Sequence, residues 1–132
     1  MKKRLFLSIT IFLAALMLYC ETDIVGSQND TELQGVVFMM DTTFTSDSRL
    51  IARGRVKNAT RRTTIDPPWF VEGQFYTNVT KTTKLGGDNS RINIPLSLNQ
   101  ETFWELSFTS SIVNVQDFPD FVVSDFRAIL KN

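Results

Sequence analysis

Residues Arg53–Tyr76, RGRVKNATRRTTIDPPWFVEGQFY, decide the fold. Leu50, Ala52, Gly54 and Val56 share one parity, while Arg53, Arg55 and Lys57 share the other. A period of two with charge on one side marks a strand that has one face in a core and one in water. Gly54 on the apolar parity leaves room for a large neighbour or marks a bulge. The alternation breaks at Asn58-Ala59-Thr60-Arg61-Arg62, where an asparagine suits a turn because it tolerates left-handed backbone. Pro67 and Pro68 cannot donate ladder hydrogen bonds, so they precede a strand rather than lie inside one. Beyond them Trp69, Val71, Gly73 and Phe75 form the expected core parity, and Phe70, Glu72, Gln74 and Tyr76 the outer one. The stretch therefore reads as strand, polar turn, strand.

More strands follow on both sides. Leu33 to Thr45 carries one, although Val36 to Met40 is too continuously apolar for its faces to be assigned, and Ser46-Asp47-Ser48 turns into the strand at Leu50. Thr77 to Leu85 is β-prone and reads as an edge guarded by Lys81 and Lys84. Gly86-Gly87-Asp88-Asn89 is the strongest turn signal in the chain. Next, Ile92, Ile94, Leu96 and Leu98 alternate with polar residues and Pro95, and Asn99-Gln100-Glu101 turns again. Trp104, Leu106 and Phe108 then face one way, with Phe103, Glu105 and Ser107 facing the other. Ser110 to Asp120 reads as a loop pinned by Phe118-Pro119. In the closing segment, Phe121 to Leu130, the expected inward set is Val122, Phe126, Ala128 and Leu130. About seven strands at this spacing predict an all-β, two-sheet sandwich. Of the chain's 11 phenylalanines, the nine beyond Cys20 supply its core.

At this point the residues carry a family likeness. GRVKN at Gly54–Asn58, the polar turn, and PPWFVEGQFY at Pro67–Tyr76 resemble the FxLYD-type and related immunoglobulin-like domains of bacterial envelope proteins. PLSLNQETFWELSF at Pro95–Phe108 is similar to the strand pair that continues those domains, with Asn99-Gln100 where the family places Pro-Gly. The likeness covers Ala52 to Leu130 and implies an immunoglobulin-like sandwich.

Ahead of that domain lies a different composition. Lys2, Lys3 and Arg4 precede Leu5 to Tyr19, an uncharged apolar run shorter than the ~20 residues of a spanning helix. That layout predicts a helical signal peptide over residues 1–19. It ends at Cys20, the only cysteine, and so resembles a bacterial lipoprotein signal whose cysteine becomes lipidated; Tyr19 departs from the small residue usual at that place. The expected organisation is leader 1–19, lipidated Cys20 with a flexible polar tether to residue 32, and a sandwich domain over 33–132. Glu21 differs from the aspartate tied to inner-membrane retention, which favours the outer membrane of the cell envelope.

Losing Lys2, Lys3 and Arg4 turns a balance of 14 basic and 14 acidic residues into a net charge of −3, which argues against nucleic acid as a partner. With no histidine and no thiol beyond Cys20, Ser-His-Asp and Cys-His catalysis and the usual zinc ligand sets are excluded. LGGDNS lacks the lysine of a phosphate loop, and Asp117, Asp120 and Asp125 lack calcium-loop spacing. No cofactor, no metal and no enzymatic activity are expected. Opposite parities at Trp69/Phe70 and Phe103/Trp104 turn one member of each pair away from the core, where an exposed ring can anchor a partner. The expected contact residues are Phe70, Tyr76 and Phe103, with Arg55 and Arg61 at the rim. The function expected is a lipid-anchored interaction or scaffolding module that engages an envelope protein. A carbohydrate-binding module using the same aromatics on a polysaccharide is the alternative.

Overall fold

A computed structural model describes residues 30–59 and 64–132. The expected leader, Cys20, most of the expected tether and Arg61 lie outside the described residues. Six long strands and three two-residue strands run in the order β1 (Thr31–Glu32), β2 (Val36–Ser46), β3 (Arg49–Asn58), β4 (Thr64–Ile65), β5 (Trp69–Tyr76), β6 (Lys84–Ile92), β7 (Leu96–Ser97), β8 (Glu101–Thr109) and β9 (Val122–Leu130). A single 3-10 turn, Val115–Asp117, is the only helical element among the described residues. The strands form a four-stranded sheet, β1-β9-β5-β6, a three-stranded sheet, β2-β3-β8, and a small β4-β7 pair. All pairings are antiparallel.

The two larger sheets share one core. Leu50, Ala52 and Val56 of β3 and Trp104 and Leu106 of β8 are buried with Trp69, Val71 and Phe75 of β5 and Val123 and Ala128 of β9. Rings meet across the gap: Phe126 of β9 lies 5.4 Å from Phe38 and 5.1 Å from Trp104, and Phe75 lies 5.9 Å from Phe108. Period-two alternation holds without interruption in β5, whose residues are buried and half-buried in strict turn. Gly54 faces Trp104 across the β3–β8 pair, as a small residue beside a large one should.

Several expectations fail for identifiable reasons. Gly86-Gly87-Asp88-Asn89 is not a turn but the middle of β6, paired with β5. A Cβ on Gly86 would stand 2.9 Å from the Phe108 ring, and one on Gly87 would stand 2.6 Å from Gln74 Oε1, so these glycines permit close approach within a strand. The turn falls instead over residues 77–83, expected to be an edge strand. There Asn78 Oδ1 accepts from the Thr80 amide at 3.0 Å, and Lys81 takes φ 54°. β9 does not keep one parity: Asp125, at φ 55°, and Phe126 both face Gly73, since Gln74 pairs with Ser124 and Glu72 with Arg127. This bulge makes Val123 the buried residue before it, not Val122, while Phe126, Ala128 and Leu130 beyond it lie against the core as expected. Ile94 and Leu98 are exposed rather than inward, because β6 ends at Ile92 ahead of Pro95. Thr31 and Glu32, assigned to the tether from sequence, pair with Leu130 and Ile129. Asn58 ends β3 fully buried, and the turn expected from it to Arg62 runs into residues outside the described ones.

Candidate functional site

The outer face of the three-stranded sheet is built from the charged parity of β3. Cross-strand partners place Arg55 between Met39 of β2 and Phe103 of β8, and Arg53 between Thr42 and Glu105. Between those rows β2 carries an extra residue, Asp41, since Met40 pairs with Gly54 and Thr42 with Arg53. The bulge delivers the Asp41 carboxylate to Arg55, whose Nε and Nη2 donate to it at 3.1–3.2 Å while Nη1 donates to Glu101 Oε2 at 3.0 Å. These hydrogen bonds and the charge of Asp41, followed by the charge of Glu101, hold the Arg55 pKa above its ordinary value. Arg53 is held differently: Nε donates to Glu105 Oε2 at 2.6 Å, and the guanidinium carbon lies 4.9 Å from the centre of the Phe44 ring. Solvent-exposed pairs of this kind add little stability, and their effect is to orient the side chains.

Phe103 stands out on this face at 76 % exposed. Beside it lies a shallow groove of about 490 Å³ lined by Asp41, Thr42, Arg53, Phe103 and Glu105, among others. An open ring flanked by oriented charges can bury an apolar group and fix a polar one next to it.

The residues expected to act together do not share one surface. Arg55 and Phe103 are cross-strand partners on this face. Phe70 and Tyr76 lie on the outer face of the four-stranded sheet, both half-buried and already engaged. Lys131 Nζ sits 4.4 Å from the Phe70 ring centre, and the Tyr76 hydroxyl donates to Asp125 Oδ2. Arg61 lies outside the described residues. Asp41, Arg53, Glu101 and Glu105 complete the face without having been singled out as contacts. The shared parity of Phe103 and Glu105 was a usable signal for one of them, whereas the bulge that places Asp41 left no signal.

Hydrogen bonding to Asp125, then desolvation and the carboxylate's charge, raise the Tyr76 pKa above the usual phenol value near 10. Since the folded value is the higher one, the associated stability is complete below the ordinary phenol pKa and is lost as pH climbs through the folded pKa. In a chain starting at Glu21, Tyr76 is the sole tyrosine, so ultraviolet phenolate absorbance reads it directly. Asp125→Asn is expected to lower that titration; an unmoved curve would show that the bond does not form in solution.

Two of the aspartates lie in strands and are bonded there. Asp88 Oδ2 accepts from the Ser107 amide at 2.7 Å, tying β6 to the edge of β8, and Asp125 accepts from Tyr76. Among the described residues no three histidine, cysteine, aspartate or glutamate side chains gather into a group that could hold a metal ion. Comparison of the chain with protein-family models, curated proteins and solved structures gives no match.

Proposed function

We propose that this chain is a non-catalytic, lipid-anchored interaction module of the cell envelope that engages a protein partner through the outer face of β2-β3-β8. Acyl chains on Cys20, with the outer membrane the favoured site, confine the domain near the bilayer and raise its effective concentration for a partner there. Neighbouring strands β2-β3-β8 and β9-β5-β6 support an immunoglobulin-like reading of the sandwich, in which they correspond to strands A-B-E and F-C-C′. The absence of histidine and of any cysteine but Cys20 from the sequence supports a binding rather than a catalytic role.

The observation that carries this reading is the 76 % exposed Phe103 beside its groove. Crosslinking in the native host followed by mass spectrometry is expected to recover one envelope protein. Phe103→Ser should lower that recovery at least tenfold while moving stability by no more than about 0.5 kcal/mol, as suits an exposed residue. Full recovery by Phe103→Ser would place the contact elsewhere. The anchor has its own check: labelled palmitate should enter the wild-type chain and be lost from Cys20→Ser, and label that persists removes Cys20 from the account.

A carbohydrate-binding module is the second reading, favoured by hydrogen-bonding side chains ringing an aromatic platform. With Phe70 and Tyr76 engaged in the fold, that platform reduces to Phe103. A glycan array on which wild type binds and Phe103→Ser does not would favour it.

A further inference from the structure

Two guanidinium groups sit side by side on the proposed face, and they differ in what they have left to give. Arg55 spends Nε, Nη1 and Nη2 on Asp41 and Glu101. Arg53 spends only Nε, on Glu105. Its two Nη groups have no hydrogen-bond partner among the described residues, and its side chain is 54 % exposed at the groove. Stacking on Phe44 and the bond to Glu105 orient this guanidinium. We propose that Arg53 is a carboxylate-reading residue and that the partner presents an acidic peptide segment, with an aspartate or glutamate taken by Arg53 and a neighbouring apolar or aromatic side chain laid on Phe103. The inference rests on the binding face proposed above.

Charge narrows the chemistry. A guanidinium fork matches the two oxygens of a carboxylate in one plane. Phosphate would fit the fork too, but Asp41, Glu101 and Glu105 lie on the same face and repel a dianion about twice as strongly as a single carboxylate. The same repulsion acts against a polyuronate, whose charges recur on every sugar. Isolated carboxylates spaced by apolar residues meet less of it. Arg49 and Lys57, at the two ends of the β3 column, form no ion pair among the described residues, so the face keeps four cations against three carboxylates. Arginine and aromatic residues together are the usual anchors of a protein interface.

The test passes detergent-solubilised full-length protein over resins carrying a random Glu/Tyr copolymer, a Lys/Tyr copolymer, polygalacturonate or phosphate. Retention is expected on Glu/Tyr alone, released by salt. It should fall at least tenfold in Arg53→Gln and in Phe103→Ser, and persist in Arg127→Gln, which removes a guanidinium from the opposite sheet. Thermal melts confirm that each variant is folded. Retention unchanged in Arg53→Gln, equal retention on Lys/Tyr, or failure on every resin overturns the proposal. Tighter retention on polygalacturonate or phosphate also overturns it and moves the ligand to those classes. If Arg53→Gln still crosslinks the envelope protein that Phe103→Ser loses, the face stands and only carboxylate recognition falls.

Discussion

Gly54→Ala is expected to cost at least about 4 kcal/mol, a large share of a total stability of order 5–15 kcal/mol. A Cβ there would stand 2.0 Å from the Met39 carbonyl oxygen and 2.4 Å from Trp104 Cζ2. Neither neighbour can withdraw. The carbonyl belongs to β2 just before its bulge, so moving it breaks the β2–β3 ladder. Trp104 is buried against Phe126, and its indole N–H has no hydrogen-bond partner among the described residues, which leaves packing alone to hold it. Trimming the indole would not rescue the variant, because the backbone clash remains. Gly86→Ala provides the contrast: its Cβ would meet the far edge of the Phe108 ring at 2.9 Å, a group that can yield, for about 1–2 kcal/mol. Urea denaturation of both variants measures the difference. A near-wild-type midpoint for Gly54→Ala would mean that β2, β3 and Trp104 do not meet as described.

How far such features can be read from sequence depends on whether local pattern or a distant neighbour sets them. β3, β5 and β8 were legible because each buries one face against the same core, so burial itself writes the alternation, broken in β3 only by Ile51, which is buried on the charged parity. β6 was not. Gly86 and Gly87 satisfy a turn's requirement for a small residue as well as a strand's, and only the Phe108 ring and the Gln74 side chain distinguish the two. β9 misled only ahead of its bulge: the extra residue at Asp125 switches the parity, so Phe126, Ala128 and Leu130 lie against the core as expected while Val123 replaces Val122 before it. Phe103 was legible from its parity opposite Trp104. Its surroundings were not, because parity says that a side chain leaves the core without saying what stands next to it. Tyr76 shows the converse: it points outward as expected, yet the same bulge carries a carboxylate to its hydroxyl and satisfies it.

Asn58→Asp should be the most costly polar substitution in the domain, at about 3 kcal/mol or more near neutral pH. Asn58 is fully buried at the junction of β3 with the turn before β8. Its amide nitrogen Nδ2 donates to the Leu96 carbonyl at 2.8 Å, its backbone N–H donates to the Gln100 carbonyl at 3.1 Å, and its own carbonyl accepts from the Asn99 amide at 2.7 Å. The backbone bonds survive any substitution that keeps the fold, so the side-chain donor is what the variant removes. A carboxylate in its place turns an acceptor toward an acceptor and buries a charge. Both penalties push the folded-state pKa of the new carboxyl above its unfolded value near 3.9. The loss relative to wild type is therefore complete above the folded pKa and shrinks as pH falls toward the unfolded one, where a protonated carboxyl can again donate to Leu96. Asn58→Ala lacks that recovery: it should lose about 2 kcal/mol at every pH, through the missing bond and the space left behind. Denaturation of both variants at neutral and acid pH separates a donor requirement from a requirement for volume alone. If Asn58→Asp lost as much at acid pH as at neutral pH, the bond to Leu96 could not be what holds this corner of the sandwich.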